Sequence, residues 1–296
     1  MRLISFSDRE GIRIGILDGQ SVIDLAQAAP TLPRDMNALI KMGESGLAAL
    51  RAAQATPAAP GARLPLSSIK LLAPIPRPLK NIFAVGKNYH EHAKEFEKSG
   101  FDATGGNAIP DLPIFFTKAS TSVSAPGEPI PSYLDYSNST DYEGELTVVI
   151  GTAGRGIKKA DALKHVFGYT IINDVTARTL QSAHKQWFLG KSLDGYCPMG
   201  PTLVTADEIP DLGKLQLLTR VNGELRQNAS VSDLIFDVPT IIESLSAVMT
   251  LEPGDLIATG TSVGVGIGFK PPKFLKKGDV VAITIEPIGT LENTVA

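Results

Sequence analysis

Cysteine, tryptophan and histidine are scarce in this sequence, with one Cys, one Trp and four His in 296 residues. The single thiol, Cys197, excludes an internal disulfide and a cysteine-rich zinc site and favours a reducing compartment, where we expect it to be a buried small residue. No apolar run reaches the roughly 18 residues that a membrane helix needs, and the N-terminus lacks the apolar core of a signal peptide. The formal net charge of −3 gives no reason to expect nucleic acid or an anionic membrane as partner. A cytoplasmic protein is therefore expected.

Strand signals dominate the chain from Asn81 onward. Short β-branched or aromatic runs alternate with turn residues, and helical patterns interrupt them without strict alternation. This arrangement argues against a doubly wound parallel sheet and predicts an α+β, β-rich fold. Residues 53–65 are rich in Ala, Pro and Gly and indicate a linker, and the proline spacing of residues 74–78 starts a second unit. We therefore predict a small N-terminal α+β domain over residues 1–73 and a catalytic domain over residues 74–296.

Acidic residues cluster in Asp141-Tyr142-Glu143-Gly144-Glu145, directly before the apolar run LTVVIG. Alternate side chains of a strand share a face, so Asp141, Glu143 and Glu145 are expected to project together, with neighbours about 7 Å apart. Carboxylates crowded near the interior repel one another unless a cation is present, and hard oxygen ligands favour Mg²⁺, Mn²⁺ or Ca²⁺. A solvated acidic edge strand is the alternative.

Asp174 lies where an apolar strand ends and a helix is expected to begin. Its carboxylate can cap that helix or complete a metal site. Arg178 and Gln181 follow at helical spacing and share a face, so both can point at an anionic ligand or lie on the surface. Trp187, further along, is expected to be structural.

The segment GKNYHEHAKEF carries a histidine and a glutamate at helical spacing. In a helix that starts near Tyr89, His92 and Glu95 share a face. A carboxylate beside an imidazole orients the ring and raises its basicity, as a general base requires. A surface ion pair is the alternative, and His90 on the same helix leaves open which histidine acts.

Two lysines stand in apolar surroundings. Lys118 closes the strand PIFFTK, and Lys191 lies between apolar residues and a Gly-rich turn. Either can stabilise a carboxylate or an enolate oxygen, or can simply be a solubilising charge. The Gly-rich run 259–268 fits neither a P-loop nor G-x-G-x-x-G, so we expect it to let the backbone approach a ligand, with Thr261 as a hydroxyl donor.

The order of these motifs, GKNYxxHxxE, DYEGEL, NDVTARxxQ, GKSxD and IATGTxxGVG, resembles the fumarylacetoacetate hydrolase family over about residues 74–296. The resemblance implies a catalytic domain with a mixed β-sandwich roll, a homodimer, and a lid over residues 97–112. It implies an Mg²⁺ or Mn²⁺ ion held by Glu143, Glu145 and Asp174, and a catalytic pair of His92 and Glu95. The positions that match the family's substrate pocket are Lys118, Arg178, Gln181, Lys191 and Thr261.

The reaction that the resemblance implies is metal-dependent cleavage of a carbon–carbon bond in a small 2-oxo acid. The metal chelates the 1-carboxylate and 2-oxo oxygens and stabilises the enolate, and Lys191 adds a second positive charge. The segments HKQWFLGKSLDGYCPMGP and GFKPPKFLKKGD look closest to the bacterial branch that includes oxaloacetate decarboxylases, which favours decarboxylation of oxaloacetate to pyruvate and CO₂.

Three alternatives stay open. The first is hydrolysis of an acylpyruvate, fumarylpyruvate or fumarylacetoacetate-like diketo acid, in which His92 and Glu95 activate a water. The second is isomerisation or hydration of a dienoic 2-oxo acid. The third is a non-catalytic module that binds 2-oxo acids.

Overall fold

The computed structural model describes residues 1–55, 61–100 and 109–296. Its strands are β1 (Arg2–Asp8), β2 (Gly11–Asp18), β3 (Ser21–Asp24), β4 (Arg63–Pro65), β5 (Lys70–Leu72), β6 (Ile82–Gly86), β7 (Ile114–Lys118), β8 (Val123–Ser124), β9 (Thr140–Asp141), β10 (Gly144–Ile150), β11 (Val166–Asn173), β12 (Thr176–Ala177), β13 (Cys197–Thr205), β14 (Gln216–Val221), β15 (Glu224–Ser230), β16 (Leu256–Ala258), β17 (Val280–Ile285) and β18 (Gly289–Thr294). The α-helices are α1 (Leu25–Ala28), α2 (Met36–Lys41), α3 (Glu44–Ala55), α4 (His90–Lys98), α5 (Arg178–Ala183), α6 (Phe188–Lys191) and α7 (Val238–Val248).

A 12-stranded sheet runs through the molecule in the order β4-β3-β2-β1-β13-β11-β10-β16-β6-β7, with β5 paired to β1 and β8 paired to β13. Most of its pairs are antiparallel, but β16 and β6 are parallel, as are β13 and β8. A second, 4-stranded sheet has the order β15-β14-β17-β18, and a short ladder joins β9 to β12. The predicted α+β, β-rich fold is confirmed.

The central strands β10 and β11 are buried along their whole length. On one face, Val148 and Ile171 belong to a core that also contains Leu217 and Ile283 of the 4-stranded sheet. On the other face, Val149 belongs to a second core. Because both faces are covered, these strands are continuous apolar runs rather than alternating ones.

Residues 1–73 extend the large sheet, since β1 pairs with β13 in antiparallel register, with Leu3 opposite Leu203. Leu3, Ile16 and Leu39 share one apolar core with Leu203. The N-terminal segment therefore packs directly against the rest of the chain. The predicted division near residue 73 stays a prediction.

Two segments differ from their predicted character. The predicted linker contributes the last residues of α3 and all of β4, and residues 56–60 lie outside the described ranges. The predicted lid begins inside α4, which ends at Lys98, and its residues 101–108 also lie outside those ranges. In the described ranges no helix has both the length and the apolar character to span a bilayer.

The junction between β1 and β13 gives a stability prediction. Leu3→Ala is expected to lower the free energy of unfolding by about 2–5 kcal/mol, because Leu3 is fully buried in the shared core and its loss leaves a cavity. Urea unfolding measures the change. The matched control is Ile12→Ala on the adjacent strand, where 63% of the residue is exposed, and it should shift stability by less than about 0.5 kcal/mol. Equal losses would contradict the shared core.

Candidate active site and metal centre

Three buried carboxylates meet at one end of the β10–β11 pair. Glu143 directly precedes β10, Glu145 lies within it, and Asp174 directly follows β11. Gly144 pairs with Asn173, and the Asp174 backbone N–H donates to the Glu143 carbonyl at 2.8 Å, which brings the two segments together. One ligand atom from each carboxylate lies within 4.8 Å of the others. We call these three residues the carboxylate triad.

The structure decides between the alternatives that the acidic segments left open. The strand β10 lies between β11 and β16, so its carboxylates are interior and do not form a solvated edge. Helix α5 has Ala177 as its N-cap residue, so the Asp174 carboxylate does not cap that helix.

Asp141 lies outside the carboxylate triad. It ends β9, and strand pairing is interrupted before β10 begins, so the alternation expected from Asp141 through Glu145 does not run through one strand. Its carboxylate accepts hydrogen bonds from the backbone N–H groups of Gly266, at 2.7 Å, and Ile267, at 3.1 Å. It also accepts one from Arg178 Nε at 2.9 Å. Asp141 therefore positions Arg178 and the Gly-rich segment.

Buried cations compensate the triad. Lys191 Nζ lies 2.7 Å from Glu143 Oε2 and 2.6 Å from Asp174 Oδ2. Lys118 Nζ lies 2.7 Å from the other Asp174 oxygen, Oδ1. Arg178 Nη2 lies 2.6 Å from Glu143 Oε1. Both lysines are buried, so neither is a solubilising surface charge.

The two glutamates of the triad titrate in opposite directions. Burial alone would raise the pKa of Glu143, but the charges of Lys191 and Arg178 hold that pKa below its ordinary value. Burial, together with the nearby charges of Asp174 and Glu143, raises the pKa of Glu145 well above its ordinary value. Of these two glutamates Glu145 is therefore the more readily protonated, and a bound cation competes with that proton.

The donor set of the triad fits a hard divalent cation. Its ligand atoms are carboxylate oxygens, with no thiolate among them. The Gly260 N–H donates to Glu145 Oε2 at 2.7 Å and fixes the orientation of that carboxylate. Gly260 has a φ of +103°, and a Cβ at this position would lie 2.8 Å from Asn88 Cβ, so glycine is required there. The triad is thus pre-arranged for a metal ion by backbone as well as side chains.

A His–Glu pair on α4 faces the triad. His92 is buried and lines the cavity beside the triad, whereas His90 is exposed, so the catalytic role predicted for His92 stays a prediction that its position supports. His92 Nδ1 lies 3.1 Å from Glu95 Oε2, and Glu95 in turn accepts from the Gly264 N–H at 3.1 Å. A Cβ at Gly268 would lie 1.8 Å from Glu95 Oε1, so the Gly-rich segment approaches the pair as closely as glycine permits.

A small cavity lies between His92 and the two glutamates of the triad. It is lined by Val85, Gly86, Lys87, His92, Phe96, Phe116, Glu143, Glu145, Arg178, Gln181, Trp187, Lys191 and Thr261. Its volume of about 20 Å³ holds on the order of one water molecule, so a substrate must displace some of the lining. The Arg178 side chain donates from Nη1 to Gln181 Oε1 at 3.2 Å, and the Thr261 hydroxyl donates to the Gly144 carbonyl at 3.0 Å.

The structure adds to what the sequence predicts for Lys118 and Trp187. Lys118 does not line the cavity but lies behind Asp174, and it also donates to the Val175 carbonyl at 3.1 Å. Trp187 packs against Phe96 and Phe116 and also lines the cavity, and its expected structural role stays a prediction. Its position four residues before Lys191, on the same short helical segment, is the signal that could have located it. Cys197 is buried as expected.

A carboxylate triad compensated by lysines beside a His–Glu pair defines an acid–base active site that can hold a divalent metal. Residues 81–296 match the family described as Fumarylacetoacetate (FAA) hydrolase C-terminal, and residues 1–74 match one described as Rv2993c-like, N-terminal. The chain belongs to the fumarylacetoacetate hydrolase family. The family and the enzyme class predicted from the motifs are confirmed.

Relatives of the chain match along almost its whole length. The oxaloacetate tautomerase YisK of Bacillus subtilis (strain 168) is 48% identical, over 95% of this chain and 94% of its own. The solved fumarylacetoacetate hydrolase of Exiguobacterium antarcticum has a TM-score of 0.82 and 41% identity, covering 100% of this chain and 99% of that one. A maleylpyruvate hydrolase of Sphingobium sp. SYK-6, solved with manganese(II) and pyruvate, has a TM-score of 0.79 and 33% identity, with the same coverage.

The raised pKa of Glu145 predicts that Mn²⁺ binding releases a proton. Below that pKa, affinity should rise by about tenfold per pH unit, because each bound cation displaces one proton. Isothermal titration calorimetry at one pH, in buffers of different ionisation enthalpy, measures the proton count. Glu145→Gln should bind Mn²⁺ weakly and release no proton. A binding enthalpy of the unsubstituted protein that does not depend on the buffer would refute the assignment.

Proposed function

We propose that this chain is a divalent-metal-dependent enzyme that acts on oxaloacetate through its enolate. The charge balance of the buried site carries the proposal. Four buried carboxylates, Asp141, Glu143, Glu145 and Asp174, lie beside the buried cations Lys118, Arg178 and Lys191, and the charges of Lys87 and Glu95 at the same site cancel each other. With all of these ionised the cluster has one net negative charge, and a divalent cation changes it to one net positive charge. Such a site favours an anionic substrate.

The comparisons support a small 2-oxo acid as that substrate. The relative from Bacillus subtilis is named for oxaloacetate, and the solved hydrolase from Sphingobium holds manganese(II) and pyruvate. Oxaloacetate and pyruvate each have a carboxylate beside a 2-oxo group. One oxygen atom of each group can bind the same cation. Mn²⁺ and Mg²⁺ both accept carboxylate ligands, and we propose that Glu143, Glu145 and Asp174 hold either ion.

Each residue at the site has its own role in the proposed reaction. When bound, the cation supplies a Lewis acid that stabilises negative charge on the 2-oxo oxygen. Lys191 adds a second positive charge beside it, and Arg178 with Gln181 orients the substrate carboxylate. His92, oriented by Glu95, gives or takes the proton at C3. Lys118 holds Asp174 in place, and its predicted contact with substrate stays a prediction.

Two reactions of the same enolate are candidates. Carbon–carbon cleavage, as decarboxylation to pyruvate and CO₂, is the reaction that the sequence favours, and it fits the hydrolases among the solved relatives. Tautomerisation of oxaloacetate between its enol and keto forms is the second candidate, because a relative at 48% identity is named for it. Both require the stabilised enolate and a proton donor at C3, which the site combines.

The remaining expectations belong to the same proposal. We propose a homodimer, and the exposed aromatic side chains of Tyr133 and Tyr136 supply apolar surface that a second copy can cover. A cytoplasmic location is supported by the single, buried thiol of Cys197. The division into residues 1–73 and 74–296 is proposed on the proline spacing at residues 74–78.

Metal-stripped protein with Mn²⁺ added back is expected to convert oxaloacetate faster than Mn²⁺ alone. Pyruvate and CO₂ report decarboxylation, and the ultraviolet absorbance of the enol reports tautomerisation. Glu143→Gln is the matched variant and should fall to the rate of the metal-only control, because a triad carboxylate is lost. Protein that exceeds that control in neither assay would overturn the proposed function and leave the diketo acids to be tested.

His92→Ala is expected to lower kcat by about 10²–10⁴-fold, the usual contribution of a general acid–base group. His90→Ala on the same helix is the control and should stay within about twofold, because His90 is exposed and does not line the cavity. Steady-state kinetics with Mn²⁺ compares the two. Equal losses, or the reverse order, would count against the His92–Glu95 pair.

A further inference from the structure

Trp187 lines the cavity, and no described residue accepts a hydrogen bond from its indole N–H. Only 7% of the residue is exposed, and within the described part of the chain its Nε1 atom makes no hydrogen bond. A buried N–H without a partner is unfavourable, because folding removes its hydrogen bond to water and no protein acceptor replaces it. The cavity wall therefore contains a hydrogen-bond donor that the described residues leave without an acceptor.

Close packing holds this donor in one orientation. The rings of Phe96 and Phe116 meet Trp187 edge-on, with centroids 6.0 and 5.2 Å away. Gly86 leaves room for the six-membered ring, since a Cβ there would lie 2.2 Å from Trp187 Cζ3. Nε1 is attached to the ring atom opposite Cζ3, so the N–H lies on the edge that faces away from Gly86. The ring cannot turn without displacing these neighbours.

Trp187, Phe96 and Phe116 line the cavity together with the glutamates of the triad. The ammonium groups of Lys87 and Lys191 lie over the two phenylalanine rings that pack against Trp187, 5.6 Å from the Phe96 centroid and 5.1 Å from the Phe116 centroid. With the 1-carboxylate and 2-oxo group at the triad and C3 at His92, the next group along the substrate is the C4 carboxylate. The two ammonium groups favour an anionic group on the side of the cavity where Trp187 lies.

We propose that the Trp187 N–H donates a hydrogen bond to the C4 carboxylate of oxaloacetate and thereby favours tautomerisation over decarboxylation. This rests on the proposed function. In tautomerisation, the enol O–H bond breaks and a C3–H bond forms, while C4 stays a carboxylate. In decarboxylation, the C3–C4 bond breaks, its electron pair enters the enolate, and C4 leaves as neutral CO₂. A donor to the charged C4 group stabilises the starting state of decarboxylation more than its transition state.

Because the chain has one tryptophan, the N–H can be removed at Trp187 alone. A tryptophan auxotroph supplied with benzothienylalanine replaces the N–H with sulfur in a ring of nearly the same shape, and Trp187→Phe is a second variant. Calorimetry on Mn²⁺-loaded protein measures binding of 3,3-difluorooxaloacetate, which has the C4 carboxylate and cannot enolise, and of oxalate, which lacks that group.

Both variants are expected to bind difluorooxaloacetate about tenfold more weakly, because each loses one hydrogen bond to a charged group. Oxalate binding should stay within about twofold. With oxaloacetate, the share of turnovers that release CO₂ should rise in both variants. Val85→Ala is the matched control in the same cavity, and it should affect both ligands alike because it leaves the N–H and the rings that pack against Trp187 in place.

Unchanged difluorooxaloacetate binding in both variants, or equal weakening for both ligands, would overturn the role of Trp187. An unchanged share of CO₂ would overturn its effect on the choice of reaction. Native protein that binds difluorooxaloacetate but leaves oxaloacetate unconverted would overturn the proposed function instead, and the binding comparison would still decide whether Trp187 contacts the C4 group.

Discussion

The repulsion among three carboxylates buried at the end of β10 and β11 is the constraint around which this structure is arranged. Glu143, Glu145 and Asp174 approach one another within 4.8 Å in the interior, where water cannot screen their charges. Lys191 bridges two of them, and Arg178 compensates Glu143 from the other side. Removing one such partner leaves an uncompensated buried charge, which is far more costly than losing a surface pair. The cluster therefore depends on these ion pairs, and a proton or a cation at the triad would relieve the repulsion that they leave.

The two sheets make this concentration of charge possible. Strands β10 and β11 are covered on both faces, so the triad is attached to the most rigid part of the fold. The surrounding groups come from distant segments: α4 supplies His92 and Glu95, and the Gly-rich segment supplies backbone N–H groups to Glu145 and Glu95. A catalytic group on a rigid element needs less reorganisation during the reaction.

Relatives of the chain are named as an oxaloacetate tautomerase, a fumarylacetoacetate hydrolase and a maleylpyruvate hydrolase. In the function proposed above, the triad end of the cavity binds the carboxylate and 2-oxo group of the substrate. The wall formed by Phe96, Phe116 and Trp187 is where we expect the rest of the substrate to lie, and therefore where we expect selectivity among substrates and products to arise.

The sequence by itself determined the properties that depend on neighbouring residues. Apolar β-branched runs specified the strands, a three-residue spacing placed His92 and Glu95 on one face of α4, and the order of motifs specified the family. It left open whether Asp174 caps a helix, whether the acidic segment is a solvated edge, and whether His92 and Glu95 form a surface ion pair. Those choices depend on burial and on contacts between segments far apart in the chain, which local pattern does not contain. Only the tertiary structure, by packing α4, β10, β11 and the Gly-rich segment around one cavity, decided them.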